Sequence, residues 1–328
     1  MAARVDRDTI RRFWRAQESQ PKARLTHSLR GFTACTRHPG LGDTLVLSAL
    51  PRSAARVGET IGIYAQTSSF ATVCAFNPFY DGQAGTFWAM TDRLLHTCDL
   101  GGGHYIQRLE RAWGLPVDPR PRPCLVVPGA GPRARRVVLH FGPGGEENTR
   151  AQRRLVHPRA REIYPTTREA VQRFVRAHPE MEFCEVGDRF SGLEGVADGT
   201  GLPLAETIRR MAACEYFIGI NSGPMHIAAA LDLKIVAIVN FPPAQLLMLP
   251  ALADAGIYDI EWFYPQSVVL HQDAEGPLVP RVSLDALERA IAGEIYPYWS
   301  NEYLDLIEEE HALHAAGPLV PVNGGMDV

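Results

Sequence analysis

The chain has 328 residues, 46% of them hydrophobic and 21% charged, and a formal net charge of -4. That length supports two domains with their own cores, and the composition is ordinary for a soluble globular protein. The charge balance leaves no nucleic-acid footprint, and no apolar run is long enough to span a bilayer.

The N-terminal stretch RVDRDTIRRFWRAQ lacks the apolar segment of a signal peptide. A cytoplasmic protein is therefore expected, with the inner face of the membrane as the second location. The six cysteines, at 35, 74, 98, 124, 184 and 214, form no C-x-x-C pair, so buried free thiols are expected. The histidines show no H-E-x-x-H or comparable metal spacing, and His311 and His314 fall in the tail.

In chain order, TIRRFWRAQ within residues 1–25 predicts a short amphipathic helix with Phe13 and Trp14 on one side. It either packs on the body or makes peripheral contact with a membrane. Residues 31–50 read as strand, glycine loop and helix, and GETIGIYAQ (58–66) as a second strand. FWAMTDRLLHTCDL (87–100) and YIQRLERAWGL (105–115) have helical apolar spacing. The Pro-, Gly- and Arg-rich stretch 116–136 is the linker candidate. Then come VVLHFG as a strand, a helix at 166–178, the strand MEFCEVG, the helix LAETIRRMAAC, and a strand–turn–helix–strand unit over 217–242. After 300 an acidic helical segment, YLDLIEEEHAL, leads into a frayed end. Strands alternating with helices predict an α/β protein with parallel sheets. The expected division is a flanking segment 1–25, Rossmann-like domains over 26–130 and 131–295, and a C-terminal helix and tail over 296–328.

The most informative stretch is FIGINSGPMHIAAALDLKIVAIVNFP, residues 217–242. An apolar strand stops at Asn221-Ser222-Gly223-Pro224 and a helix begins, with Pro224 where a missing N–H costs nothing. The turn offers backbone N–H groups and a Ser hydroxyl, with His226 about one turn in. A helix start so equipped suits a phosphate. The alternative is an ordinary strand–helix turn with a core histidine.

NSGPMHIAAAL resembles the donor-site signature of glycosyltransferase family 9, the lipopolysaccharide heptosyltransferases, which typically reads D-[ST]-G-x-x-H-[LI]-A-A-A-L. HPGLGDTLVLSALP (38–51) is similar to the family's N-terminal G-[IL]-G-D-x-[IL] loop and the helix after it. RRVVLHFGPGG (135–145) resembles the strand and glycine-rich loop that open its second domain, and VSLDALERAI (282–291) its closing helix. The resemblance covers about residues 30–293, irregularly between 245 and 280. It implies a GT-B fold: two Rossmann-like domains facing across a cleft, the first for the acceptor and the second for a nucleotide-sugar donor.

Asp43, after Pro39-Gly40-Leu41-Gly42, is either a helix cap worth about 1 kcal/mol or the general base that takes the acceptor's hydroxyl proton. The resemblance assigns it the second task and places Gly40 and Gly42 beside the acceptor. For the donor, the candidates are His140, Gly142, Gly144 and Gly145 after the first strand of the second domain, then Asn221, Ser222, Gly223, Pro224 and His226. Asp188 is a loose counterpart of the family's donor-contacting carboxylate, and Leu202 falls where the family places an apolar contact to the base. His140 points either into the sheet or toward the cleft. Arg150, Arg153, Arg154, Arg159 and Arg161 follow the glycine loop and suit bidentate phosphate binding; a solvated loop is the alternative. Two positions depart from the family. Glu162 stands where it has the phosphate-contacting Lys of K-x-W-P, leaving Arg161 or Arg159 to substitute, and Asn221 replaces the signature Asp.

The D-x-D at Asp6-Arg7-Asp8 lies in the N-terminal flank, so no metal site and no cofactor are expected. The expected function is inverting, metal-independent transfer of a sugar from a nucleotide donor, ADP-heptose as first guess, to a hydroxyl of a glycan, lipid-linked or other acceptor. The alternatives are a sugar-nucleotide epimerase or hydrolase of similar fold, or a non-catalytic nucleotide-sugar-binding protein.

Overall fold

A computed structural model describes residues 29–36, 40–65, 67–82, 87–90, 104–130, 135–142, 163–239, 263–264, 266–272, 280–295 and 297. The first part of the chain contains β1 (Phe32–Thr36), α1 (Leu41–Leu47), α2 (Ala49–Ala55), β2 (Gly62–Ala65), α3 (Phe70–Ala75), β3 (Phe87–Met90) and α4 (Tyr105–Ala112). The second contains β4 (Arg136–His140), α5 (Pro165–Ala177), β5 (Glu182–Gly187), β6 (Val196–Thr200), α6 (Leu204–Ala212), β7 (Tyr216–Ile220), α7 (Gly223–Ala230), β8 (Lys234–Val239), β9 (Val268–His271) and α8 (Leu284–Ala292).

Two sheets result, of three and six strands, ordered β2-β1-β3 and β6-β5-β4-β7-β8-β9. Every named strand pair is parallel. Numbering the second sheet from β4, its order is 3-2-1-4-5-6, the doubly wound dinucleotide-binding arrangement. The order reverses between β4 and β7, so the crevice lies beyond their carboxyl ends. In the smaller sheet β1 is central and the order reverses at its carboxyl end, where α1 begins.

The strands alternate between two covered faces. On β8, Ile235, Ala237 and Val239 join the core cluster that holds α1, α2, α4, α6 and α7. Val236 and Ile238 join the cluster under α5 and α8. Burial on both faces explains why KIVAIV reads as a continuous apolar run. The first cluster runs from Leu45, Leu50 and Ile63 beside the small sheet to Met225, Ile227 and Phe217 in the large one. Side chains like these contribute roughly 1.5–3 kcal/mol each when fully buried, so the two sheets share one apolar seam.

The structure corrects several expectations. Phe87–Met90 is not the start of a helix; it is β3, paired with β1 in the register Phe32↔Phe87. The helix after the glycine loop is broken at Ser48. Its hydroxyl donates to Leu45 O at 2.5 Å and accepts from Cys124 N–H at 2.9 Å, while its carbonyl accepts from Asn77 Nδ2 at 2.8 Å. Pro51 then sits in the first turn of α2, where it removes no helical bond. Strand β6, the polar edge VADGT, was not expected, nor were α3 and β9.

Residues 116–130, the linker candidate, are irregular but docked. The Asp118 carboxylate accepts from Arg52 at 3.1 Å and Arg56 at 3.0 Å, and its N–H donates to Glu110 at 2.8 Å. Among the described residues no helix is long and apolar enough to cross a membrane. The N-terminal helix, Asp6, Asp8, Gly144, Gly145, Arg150 to Glu162 and the tail with His311 and His314 lie outside the described residues.

Candidate active site

Strand β7 is buried at all five positions and delivers the chain to the turn at Asn221. A Cβ on Gly219 would collide with the backbone carbonyl of His140, so the strand needs glycine where β4 passes. Ser222 is the N-cap of α7 in extended conformation, φ -163 and ψ 178. Its hydroxyl donates to Ile220 O at 3.3 Å and does not cap the helix. Pro224 occupies the first turn. The start of α7 thus carries its dipole charge without a side-chain cap, beside half-buried Asn221 and Ser222, an arrangement suited to an anion.

α1 starts at the other switch point. Gly40 is its N-cap, so Asp43 is not the capping residue and stands third in the helix. The Asp43 carboxylate turns back over Gly40, where a Cβ would strike Oδ2. Thr44 fixes the turn from the opposite side, its hydroxyl donating to Gly40 O at 3.2 Å. An acid in a first turn gains about 0.3–1 kcal/mol from the helix dipole.

The two helix starts meet. A Cβ on Gly42 would lie 2.9 Å from His226 Cδ2 and 3.0 Å from Nε2, and one on Gly223 would lie 2.7 Å from Leu41 Cδ2. Each helix offers a glycine to a side chain of the other. His226 is 3% exposed, and its Nδ1 lies 2.5 Å from the Tyr264 hydroxyl. Tyr264 is itself fully buried, which pushes its phenol pKa well above the ordinary value. Its ring also lies 4.4 Å from that of His104, tilted by 32°. His104 in turn caps α4, accepting the Ile106 N–H at Nδ1.

His140 points into the sheet. It is 3% exposed and its Nδ1–H donates to Val186 O of β5 at 2.8 Å. Gly187, at φ 126, leaves the ring its space, since a Cβ there would lie 2.7 Å from Nδ1. Gly142 follows at the carboxyl end of β4, its missing Cβ 3.4 Å from Arg189 O. Asp188 is exposed just past β5, and Leu202 is half-buried between β6 and α6. Both lie along the same carboxyl edge.

The structure therefore brings Gly42 up to His226 and Leu41 up to Gly223, with Gly40 and Asp43 in the same helix start as Gly42. It sets His140 behind them as a sheet residue. Tyr264 and His104 were not expected here. Nothing in the sequence near Tyr264 shows a regular pattern, and His104 stands just outside the helical spacing that it caps.

The family model for glycosyltransferase family 9 (heptosyltransferase) matches residues 199–246, from the end of β6 through α6, β7, α7 and β8. No curated protein matches the chain. Among solved structures, E. coli ADP-heptose lps heptosyltransferase II aligns with a TM-score of 0.50 and 12% identity, over 80% of this chain and 99% of that one. The E. coli heptosyltransferase WaaC with ADP-2-deoxy-2-fluoro heptose aligns with a TM-score of 0.52 and 9% identity, over the same shares. At such identities the likeness speaks for the fold, which is GT-B-like, while the matched segment places the family signature at the β7–α7 switch point. The chain thus has a GT-B-like fold and is similar, over the segment that holds the β7–α7 switch point, to glycosyltransferase family 9 (heptosyltransferase).

Proposed function

We propose that the protein transfers a sugar, heptose in the first instance, from a nucleotide diphosphate donor to an acceptor hydroxyl, with inversion and without a metal. The observation that carries this is the meeting of α1 and α7. A carboxylate, Asp43, lies in the first turn of one helix, and the other helix start is suited to a diphosphate. In the proposed reaction the Asp43 carboxylate takes the acceptor hydroxyl proton. The acceptor oxygen attacks the anomeric carbon from the face opposite the diphosphate, and the bond from that carbon to the diphosphate oxygen breaks. The departing charge is stabilised by the N–H groups of α7 and by arginines among Arg150 to Arg161. In this reading Asp188 and Leu202, further along the carboxyl edge, take the nucleoside.

ADP is the first nucleotide to try, because WaaC has been solved with ADP and with a fluorinated ADP-heptose. The acceptor is a glycan, a lipid-linked or another hydroxyl compound, met in the cytoplasm or at the inner membrane face. The test is incubation with nucleotide sugars and an acceptor panel, with the product's anomeric configuration read by NMR. An inverted glycoside formed equally in EDTA is expected. A retained configuration, or activity lost in EDTA and restored by magnesium or manganese, would overturn the corresponding part. Sugar release or epimerisation without any acceptor would instead point to a hydrolase or epimerase.

A further inference from the structure

We propose that Tyr264 is a positioning residue that holds His226 as the Nε2–H tautomer, so that a hydrogen-bond donor faces the seam between α1 and α7. The structural part stands on contacts alone; its role in binding rests on the seam being the nucleotide site.

The contact at 2.5 Å joins the phenol oxygen to Nδ1 of His226. Either the phenol donates to a bare Nδ1, or an Nδ1–H donates to the phenol oxygen. The phenol decides the matter. Tyr264 is fully buried, and a buried phenol keeps its proton because burial disfavours the phenolate. That proton needs an acceptor, since an unpartnered buried hydroxyl is costly. Among the described residues the acceptor within reach is His226 Nδ1. Nδ1 of the neighbouring His104 is already accepting the Ile106 N–H at 3.1 Å. The phenol therefore donates to Nδ1 of His226, and the proton of the neutral imidazole is on Nε2.

The rest of the cluster makes this a fixed arrangement. The Tyr264 carbonyl accepts from Ser267 N–H at 2.9 Å. Its ring is held against His104, whose backbone N–H donates to Gln107 Oε1 at 3.1 Å. On the far side of His226, the Nε2 and Cδ2 edge faces the place where Gly42 has no side chain. The Nε2–H thus lies beside Gly42 at the start of α1, one residue before Asp43. Such a group can donate to an oxygen anion, a diphosphate oxygen in the proposed reaction. While neutral it cannot accept a proton there, so Nε2 of His226 is not the general base.

The tautomer can be read directly, with no substrate. Long-range 1H–15N spectra of histidine-labelled protein at pH 7, with the His226 signals identified by their loss in His226→Gln, should show a bare Nδ1 and a protonated Nε2. In Tyr264→Phe the pattern should shift toward Nδ1–H, and ADP affinity should fall several-fold. Should that variant fail to fold, 3-fluorotyrosine incorporation strengthens the phenol as a donor and should move the His226 Nδ1 resonance. An Nδ1–H tautomer in the native protein, or a His226 spectrum unmoved by both changes, overturns the proposal. The expected tautomer in a protein that binds no ADP would leave it standing and would refute the reading of the seam as the nucleotide site.

Discussion

The closest fit in the seam is Leu41 against Gly223, and a double-mutant cycle tests whether that fit holds α1 to α7. An alanine at 223 would put its Cβ 2.7 Å from Leu41 Cδ2, 3.0 Å from Cγ and 3.1 Å from Cβ. Ordinary carbon–carbon contact is about 3.5–4 Å, so the leucine or the helix must give by nearly 1 Å. Overpacking of this kind costs typically about 1–3 kcal/mol, partly offset by up to about 1 kcal/mol of helix propensity gained over glycine. Gly223→Ala alone should therefore destabilise by roughly 1–2 kcal/mol. Leu41→Ala alone removes a half-buried side chain that packs on the core, and should cost about 1–2 kcal/mol, below the range for fully buried leucines. In the double variant the two clashing leucine carbons beyond Cβ are gone. Its loss should fall short of the sum by about 1 kcal/mol, well outside the 0.3–0.5 kcal/mol scatter of independent sites. Urea midpoints on the four proteins give the coupling. If the two losses simply add, α1 and α7 do not meet through this pair.

Three further outcomes are expected. Asp43→Asn should keep its melting temperature within a few degrees, because Gly40 and not Asp43 is the N-cap, while the transfer rate falls on the order of 100-fold; a stable variant with full activity would remove Asp43 from the chemistry. His226→Ala should weaken nucleotide binding by about 1–3 kcal/mol if the Nε2–H meets a phosphate oxygen, and an unchanged dissociation constant by calorimetry would exclude that contact. Glu110 is fully buried, with Ser53 Oγ donating to it at 2.5 Å, and burial raises its pKa from 4.5 to about 7. The folded state then holds a proton that the unfolded state releases. This contribution is fully present below about 4.5 and is lost as pH rises to about 7, by on the order of 3 kcal/mol across the window. Stability of the wild type should drop over that range more than that of Glu110→Gln, and parallel pH profiles would show that Glu110 does not titrate there.

Much of the larger sheet could be read from the sequence because its strands are buried on both faces. YFIGI and KIVAIV are continuous apolar runs bounded by turn residues, a pattern that needs no partner to be seen. Strand β6 failed the same test because it is a sheet edge. Only one of the five residues of VADGT, Gly199, is buried, and what makes it a strand is pairing with β5 through Phe183↔Val196 to Gly187↔Thr200. Phe87–Met90 failed differently. Its apolar spacing, taken with the residues after it, suits a helix, but β1 has a free edge on the side away from β2, and pairing there outweighed local spacing.

At the candidate site, the sequence points to residues suited to chemistry but not to the residues that hold them. His226 stands out in its motif, yet its hydrogen-bond partner lies 38 residues away, beyond any local pattern. Gly42 was expected beside the acceptor; the structure shows that the position must also leave room for the His226 ring. These glycines bear on why the site is at the seam. Two helix starts that approach closely bring like partial charges together, each equivalent to roughly half a positive elementary charge. That proximity is unfavourable unless negative charge is near. The Asp43 carboxylate answers for α1, in whose first turn it lies. At α7 the Ser222 hydroxyl is directed away to Ile220 O, so the second helix start has no side-chain cap. A diphosphate at that position would complete the balance, and its departure with the nucleoside would leave the Asp43 carboxyl, now carrying the acceptor's proton, beside the glycosylated product.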